Sequence, residues 1–363
     1  MAIEKLSLGT SNFYAPRFEI EIENSRVAAD MSKSIIDVSV EERINEGASF
    51  TITVNDEFDM KTQTFKWLDH QLFNVGNTVK IKFGYESNLV PLMTGNITGL
   101  EPSFFAGDTP TLTVNGQDLS YDYLKRRSPE RTFTGVSYSD IAQTIAKEAE
   151  LSCVADSTES IEHSVRKNAN ESYYTFLERL AEEVGFQLRI DGQTMYFNEP
   201  EDDKKEILTL ELGKDIISFR PNLNTANLYG EVEVRGHNPQ DPNTPIVGRA
   251  VAGEERSQES GRETASQVAQ RRHGESIKVI TNVIVNSVNH ANAIARAALN
   301  RLSDGFIEGD AESIGITEIR PGVCIKLEKM GERFSGKYFV KAATHTINNS
   351  GYRTRFTVKR NAL

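Results

Sequence analysis

The chain has 363 residues, a hydrophobic share of 38% and a formal net charge of −11, enough length for two or three domains and enough apolar mass for ordinary globular cores. No run of about 18 apolar residues occurs, which excludes a spanning helix, and the acidic balance argues against a dedicated nucleic-acid binder. The start, MAIEKLSLGTSNFY, has neither a basic n-region nor an apolar h-region, so no Sec signal is read there.

From Arg17 to about Asn115 apolar residues alternate with period two, which puts one set of side chains on one face of a sheet. Phe18, Ile20 and Ile22 form the first set. Ile36, Val38 and Val40 follow, then Phe50, Ile52 and Val54, then Val79, Ile81 and Phe83, then Leu112 and Val114. Between Met60 and Val75 the spacing of Phe65, Leu68 and Leu72, with Trp67 and Phe73 beside them, predicts an amphipathic helix inserted between strands.

After Tyr121 the pattern turns helical. Ser137 and Asp140 form a capping box ahead of Ile141, Ile145 and Ala149. A second helix is predicted from Asn170 to Val184, with Gly185 as its C′ residue, and Phe186 to Phe197 reads as a hairpin turning at Asp191 and Gly192. Strand patterning resumes at Ile207 and includes Val232 and Val234. From His237 to Ser276 prolines, glycines and the polar stretch EERSQESGRETASQVAQRRHGES offer little apolar area, which predicts a long loop ordered only by a partner. A helix capped by Asn289 and carrying Ile294, Ala298 and Leu302 follows, ending near Gly305. Alternation then returns at Val323, Ile325 and Leu327, at Tyr338 and Val340, and at Tyr352, Phe356 and Val358.

The expected fold is α+β, mainly β: two related antiparallel β-barrel domains with an inserted small α+β domain. The boundaries are 1–118 for the first barrel, 119–204 for the α+β unit and 205–363 for the second barrel, the last carrying the loop 237–276 and the helix 289–304. The barrels are called related because a shift of 244 positions carries Val79, Ile81 and Lys82 onto Val323, Ile325 and Lys326, Gly107 onto Gly351, and Thr113 and Val114 onto Thr357 and Val358. Thr94 and Gly95 match Ser335 and Gly336 after a three-residue deletion. Duplication has a geometric consequence: three such chains in a closed ring present six similar modules.

Chemistry is sought without result. The motifs that cradle phosphate, ligate zinc or present a nucleophile are absent. Cys153 with one of the six histidines would need a partner brought from elsewhere in the fold, and Glu182 and Glu183 read as solubilising charge on a helix. Cys153 and Cys324 lie too far apart in sequence to suggest a disulfide framework. The basic clusters at Lys125, Arg126 and Arg127 and at Arg271 and Arg272 read as solvated surface. His345 is expected to be a hydrogen-bonded structural residue. Trp67, the single tryptophan, serves as a core anchor or as a candidate interface residue. No catalytic, cofactor-binding or metal-binding residue is assigned.

From Ile319 to Asn361 the chain resembles the closing segment of the phage late-control protein D family. Arg320, Pro321 and Gly322 stand for its R-P-G. Phe334, Ser335, Gly336, Tyr338 and Val340 stand for its F-S-G-x-Y-x-V, Thr344 and His345 for its T-H, and Gly351, Tyr352, Thr354 and Phe356 for its G-Y-x-T-x-F. NESYYTFLERLAEEVGFQLRI from Asn170 and GNTVKIKFGY from Gly76 are similar to the same family. The resemblance implies a non-enzymatic structural protein, the homotrimeric central hub of a contractile baseplate that binds the inner tube, the spike and other baseplate subunits. It carries no cofactor and no dedicated nucleic-acid or membrane site. Such a protein is assembled in the cytoplasm and ends up in a virion or tail-like particle. The alternatives are a tail-tip cell-wall hydrolase and a ligand-binding module on a tail-like particle.

Overall fold

The computed structural model describes residues 15–86, 88–125, 129–160, 164–201, 204–236, 244–256, 259, 261–281, 283, 285 and 287–363. Residues 1–14, where no Sec signal is expected, Arg126 and Arg127 of the first basic cluster, and the beginning of the expected loop at His237 lie outside these residues.

The N-terminal region supplies β1 (Pro16–Ile22), β2 (Ser25–Arg26), α1 (Ala29–Ser34), β3 (Ile35–Arg43), β4 (Ser49–Asn55), β5 (Phe58–Asp59), β6 (Thr64–Phe65), β7 (Thr78–Tyr85), β8 (Asn88–Ser103) and β9 (Thr111–Asp118). Alternation explains the long strands. Val38 and Val40, then Phe50, Ile52 and Val54, Val79, Ile81 and Phe83, and Leu112 and Val114 are buried in one core, while the residues between them are more exposed.

The helix expected from Met60 to Val75 is not formed. In its place are β6, turns and a single 3-10 turn at Gln71–Phe73. Local side chains capture the backbone instead: Asp56 accepts from the N–H groups of Trp67 and Leu68, Asp69 accepts from Phe65, and the Asn77 amide donates to the carbonyls of Gln71 and Leu72. Short polar side chains compete with helix in this way.

The middle unit contains β10 (Arg131–Phe133), α2 (Tyr138–Glu148), β11 (Ser152–Ala155), β12 (Val165–Lys167), α3 (Tyr173–Val184), β13 (Gln187–Asp191) and β14 (Thr194–Asn198). The Ser137–Asp140 capping box starts α2, and left-handed Gly185 ends α3. Both helices bury their apolar stripes against β13 and β14 in a separate core.

The C-terminal region supplies β15 (Leu208–Glu211), β16 (Ile216–Leu223), β17 (Glu231–Gly236), β18 (Ile246–Val251), α4 (Ala265–His273), β19 (Ile277–Ile280), α5 (Val288–Asp304), β20 (Ile307–Ile314), β21 (Cys324–Glu328), α6 (Gly331–Phe334), β22 (Gly336–Asn348) and β23 (Gly351–Arg360). Two expectations change here. The stretch read as a loop at 237–276 contains β18 and α4, and α5 is capped by Ser287 rather than Asn289. The polar stretch orders through hydrogen bonds: buried Glu255 accepts from the Ser266 backbone and hydroxyl, and the Ala265 N–H donates to the Asn361 carbonyl. Strands β17, β18 and β19 form a small sheet packed on α5.

A thirteen-stranded sheet ties the ends of the chain together along the path β16-β20-β23-β22-β3-β4-β9-β8-β7-β1-β2, with β21 also on β22 and β15 on β21. In chain order, β1, β3, β4, β7, β8 and β9 occupy the path β3-β4-β9-β8-β7-β1. Likewise β15, β16, β20, β21, β22 and β23 occupy β16-β20-β23-β22-β21-β15. One strand order is used twice. The copies differ at the first strand, since β1 is antiparallel to β7 whereas β15 is parallel to β21. Only 212–215 separate β15 from β16, where the first copy has β2 and α1 between β1 and β3. Gly107 and Gly351 both sit at the connection into the last strand, with φ of 88° and 105°.

The match of Gly95 with Gly336 is not kept by the pairing. Gly95 lies opposite Val79, a place taken in the second copy by Val340, whose N–H donates to the Val323 carbonyl. Gly336 lies opposite Leu327 at the start of β22. The two glycines answer to different neighbours: a Cβ at Gly95 would meet the Gln117 carbonyl at 2.1 Å, and one at Gly336 would meet Arg360 Nη1 at 2.6 Å.

Candidate assembly interface

The two copies of the strand order meet along β3 and β22. Antiparallel pairing runs from Ala342 opposite Arg43 to Asn348 opposite Asp37. On the outer face Ser39 Oγ lies 3.1 Å from Thr346 Oγ1, and the Asn348 amide donates to Asp37 at 3.3 Å. That face stays polar over both copies. Thr51 bonds Asn115, Asn115 bonds Glu101, Thr357 bonds Asp310 and Arg355 pairs with Glu312.

Several of the motif residues build the seam beneath this pairing. His345 is fully buried. Its Nε2 donates to the Ile319 carbonyl at 3.0 Å, so Nδ1 accepts from the Tyr352 hydroxyl at 2.8 Å, with Thr354 Oγ1 3.1 Å away. Burial lowers its pKa to about 3, which keeps the imidazole neutral. Tyr352 packs edge-on against Phe83 at 5.4 Å between ring centres, and Tyr85 donates to the Gly315 carbonyl at 2.9 Å. Tyr352 and Ile347 thus belong to the core of the first copy although they come from the second. Gly351 makes the β22–β23 turn, and the Gly322 N–H donates to the Val340 carbonyl at 3.0 Å.

Phe334, Ser335, Gly336 and Tyr338 of the motif form a cup for Arg360. Its side chain is buried, with Nε donating to the Ala362 carbonyl at 2.6 Å, Nη1 to Ser335 at 3.0 Å and Nη2 to Arg333 at 2.8 Å. The Tyr338 ring lies beneath the guanidinium and its hydroxyl donates to the Phe334 carbonyl, while Ser335 Oγ accepts from the Met330 N–H. Gly336 closes the cup at φ 146°. Gly336→Ala should therefore destabilise the fold by roughly 1–3 kcal/mol, the cost of a strained backbone conformation, measured by chemical denaturation against a Gly305→Ala control, where no neighbour lies within 4 Å.

Arg320, of the R-P-G motif, does more than its place in that pattern suggested. Its Nε donates to Glu42 at 3.0 Å and its Nη2 to Glu42 as well, to the Leu92 carbonyl at 3.1 Å and to Asp191 at 3.1 Å. One guanidinium joins both copies of the strand order to the middle unit. Asn45 adds a second tie, exchanging hydrogen bonds with the Leu188 backbone. The R-P-G residues were the visible signal for the first. Nothing in the sequence marked the second.

Trp67 is buried, only 4% exposed, and packs in the core of the first copy under Lys66. The residues weighed for catalysis do not converge. Cys153 is half-buried on β11, where burial pushes its thiol pKa up. Glu182 faces Arg301 at 3.9 Å, and Glu183 lies beside buried Tyr138. Cys324 is buried on β21. Arg271 pairs with Glu263 and Arg272 donates to Thr225. Among the described residues no three metal-ligating side chains cluster, and no helix is long and apolar enough to cross a membrane.

Among the described residues, parts of β8 and β16 lie at edges of the large sheet. The first part of β8 pairs with β7, but from Thr98 to Ser103 its pairing is with β9 alone. Among the described residues β16 pairs along its length with β20, and on its other side Ile216 bridges Leu212. Apolar side chains are exposed beside both: Phe104 and Phe105 at the tip after β8, and Ile207, Leu212 and Ile217 around β15 and β16.

The sequence family decides what this assembly of parts belongs to. The Alg8 N-terminal domain model matches residues 14–349. The chain belongs to the Alg8 N-terminal domain family. No curated protein matches it. Solved structures similar to this Alg8 N-terminal domain chain include the 43 kDa tail protein of prophage MuSo2 from Shewanella oneidensis, at 13% identity and a TM-score of 0.69 over 95% of this chain and 98% of that one. A tail protein from Neisseria meningitidis MC58 reaches 12% and 0.68 over 96% and 97%. An E. coli component of the type VI secretion system, described as structurally similar to the T4 tail proteins gp27 and gp5, reaches 13% and 0.60 over 94% and 77%. The Alg8 N-terminal domain chain therefore has the fold of phage tail proteins.

Proposed function

We propose that this chain is the structural hub of a contractile injection system or phage tail baseplate, a trimeric adaptor between a hexameric inner tube and a trimeric spike. The observation that carries the reading is the strand order used twice in one chain and joined into one sheet. Three chains around an axis then offer six near-equivalent sheets to a six-fold partner on one side and a three-fold surface to another. The polar outer face, held by Thr51–Asn115, Ser39–Thr346 and Thr357–Asp310, suits the wall of a water-filled channel. The resemblance of Ile319 to Asn361 to the late-control protein D family belongs to the same reading, as do the names of the similar structures, which are tail and type VI secretion components.

The role is mechanical. The boundaries at 118 and 204 fall between the buried clusters of the two copies and of the middle unit, and are proposed as domain limits. The chain is assembled in the cytoplasm and is carried in a virion or tail-like particle with tube, spike and other baseplate subunits as partners. Electron microscopy of the particle with a label on this subunit tests the placement. The label is expected at the junction of tube and spike; a label along the tube, on the sheath or at the tip of the spike would contradict it.

A further inference from the structure

A cleft of about 400 Å³ lies where the two copies of the strand order meet the middle unit. Its walls come from the turn after β3, the end of α3 with the start of β13, the last turns of α5, and β22 and β23. That volume suits a small molecule or a few residues of a peptide. Five cationic side chains line it, Arg43, Arg256, Arg301, Lys341 and Lys359, against three carboxylates, Glu46, Glu182 and Asp304. On a chain of net charge −11 a local excess of positive charge runs against the general trend. We propose that this cleft binds an extended acidic segment of a partner protein.

The ion pairs around the cleft leave its cations able to take a further carboxylate. Arg43, Lys341 and Arg256 pair with Glu41, Glu308 and Glu199, and none of these three acids lines the cleft. Arg301 and Glu182 stand 3.9 Å apart with both side chains exposed. Such a pair contributes little to stability, and a ligand carboxylate can take the place of Glu182. Lys359 gives an N–H to Asp304 at 2.6 Å and rests over the Phe339 ring, while an ammonium has three donors in all.

Gln187 is a second and independent mark of a ligand. It lines the same cleft at the start of β13 and is only 4% exposed. Its Nε2 donates to Asn198 at 3.4 Å, but its Oε1 has no hydrogen-bond partner among the described residues. A buried amide oxygen without a donor calls for an N–H. An acidic peptide answers both features, with backbone N–H groups for Gln187 and side-chain carboxylates for the cations. A phosphate backbone or a simple polyanion has no N–H to offer, and Glu46, Glu182 and Asp304 would repel it. Because the walls come from both copies and the middle unit, an occupant also ties these parts together, and its binding raises the melting temperature.

Fluorescence anisotropy of fluorescein-labelled hexaglutamate against the full chain tests the assignment, with hexaserine labelled in the same way as the reference. The unsubstituted chain is expected to bind hexaglutamate, less tightly as salt rises, and to melt at a higher temperature in its presence. Arg301→Glu and Lys341→Glu reverse charges on side chains that are 59% and 42% exposed, and each should weaken binding roughly tenfold. Arg166→Glu makes the same change of net charge at a residue that does not line the cleft, and it should bind as the unsubstituted chain does. Unchanged circular dichroism shows that each variant folds; where a reversal disturbs the fold, Arg301→Gln, which only removes the charge, carries the test with a smaller loss. Hexaglutamate held no better than hexaserine, or weakened equally by Arg166→Glu, overturns the proposal. Citrate that displaces hexaglutamate at an equal concentration of carboxylate would give the cleft to a small acid and overturn the peptide assignment. None of these results bears on the hub reading, which the placement of the label tests separately.

Discussion

Replacing Arg320 with alanine is expected to cost the fold about 3–5 kcal/mol, the range for removing one partner of a buried ion pair. Glu42 is only 7% exposed and would be left with its charge facing the seam between the two copies. Asp191 and the Leu92 carbonyl would lose a donor at the same time. Arg320→Lys should recover only part of the loss, because a single ammonium cannot span the forked set of acceptors that the guanidinium reaches. Urea denaturation monitored by near-ultraviolet circular dichroism checks both variants. Because the loss falls on the joint among three units, an unfolding transition that becomes broader or splits is the expected form. A loss within the range of exposed surface pairs, below about 1 kcal/mol, would mean that the joint is held by apolar packing alone.

Stability should also fall steeply in mild acid because of His345. In the folded chain burial lowers its pKa to about 3, while in the unfolded chain it returns to about 6.5. The unfolded state therefore binds the proton first. The group's contribution is complete above about pH 6.5, is lost at about 1.4 kcal/mol per pH unit as the pH falls, and stops changing below about pH 3. His345→Gln keeps polar atoms for the Ile319 carbonyl and the Tyr352 hydroxyl but does not titrate. It should be less stable than the parent at pH 7 and show a flatter dependence between pH 6.5 and 4. Equal slopes in the two proteins would place the acid-sensitive group elsewhere.

The legible parts of this fold are those governed by local pattern. Val38, Val40, Phe50, Ile52 and Val54 announce strands because period-two alternation admits no other buried arrangement. Ser137 with Asp140, and Gly185, announce the ends of helices through identifiable backbone groups. Pattern misled where side chains bond to the backbone. Phe65, Leu68 and Leu72 have helical spacing, but the Asp56 and Asn77 side chains take the backbone groups a helix would need. The polar stretch around Thr264 lacks apolar area, yet α4 forms because buried Glu255 satisfies its first turn.

The candidate interface was only half visible for a similar reason. His345, Tyr352, Phe334, Ser335, Gly336 and Tyr338 stood out as a motif, but not the Arg360 cup that some of them build. The pairing of β3 with β22 joins residues as far apart as Ser39 and Thr346, and nothing local encodes a contact of that range. The repeat pointed toward it. The 244-residue shift holds for Gly107 and Gly351 at the final turn but fails for Gly95 and Gly336, because the two copies keep strand order and not register.

The central claim is that duplication within one chain lets three copies make a six-module ring. Its most direct test is a cryo-electron microscopy reconstruction of the assembled protein without imposed symmetry. The expected result is a closed ring of three chains in which β3, β4, β8 and β9 alternate with β16, β20, β22 and β23 around the axis, polar faces inward. A ring of two or six chains, or three chains whose two strand sets lie at different heights along the axis, would contradict it.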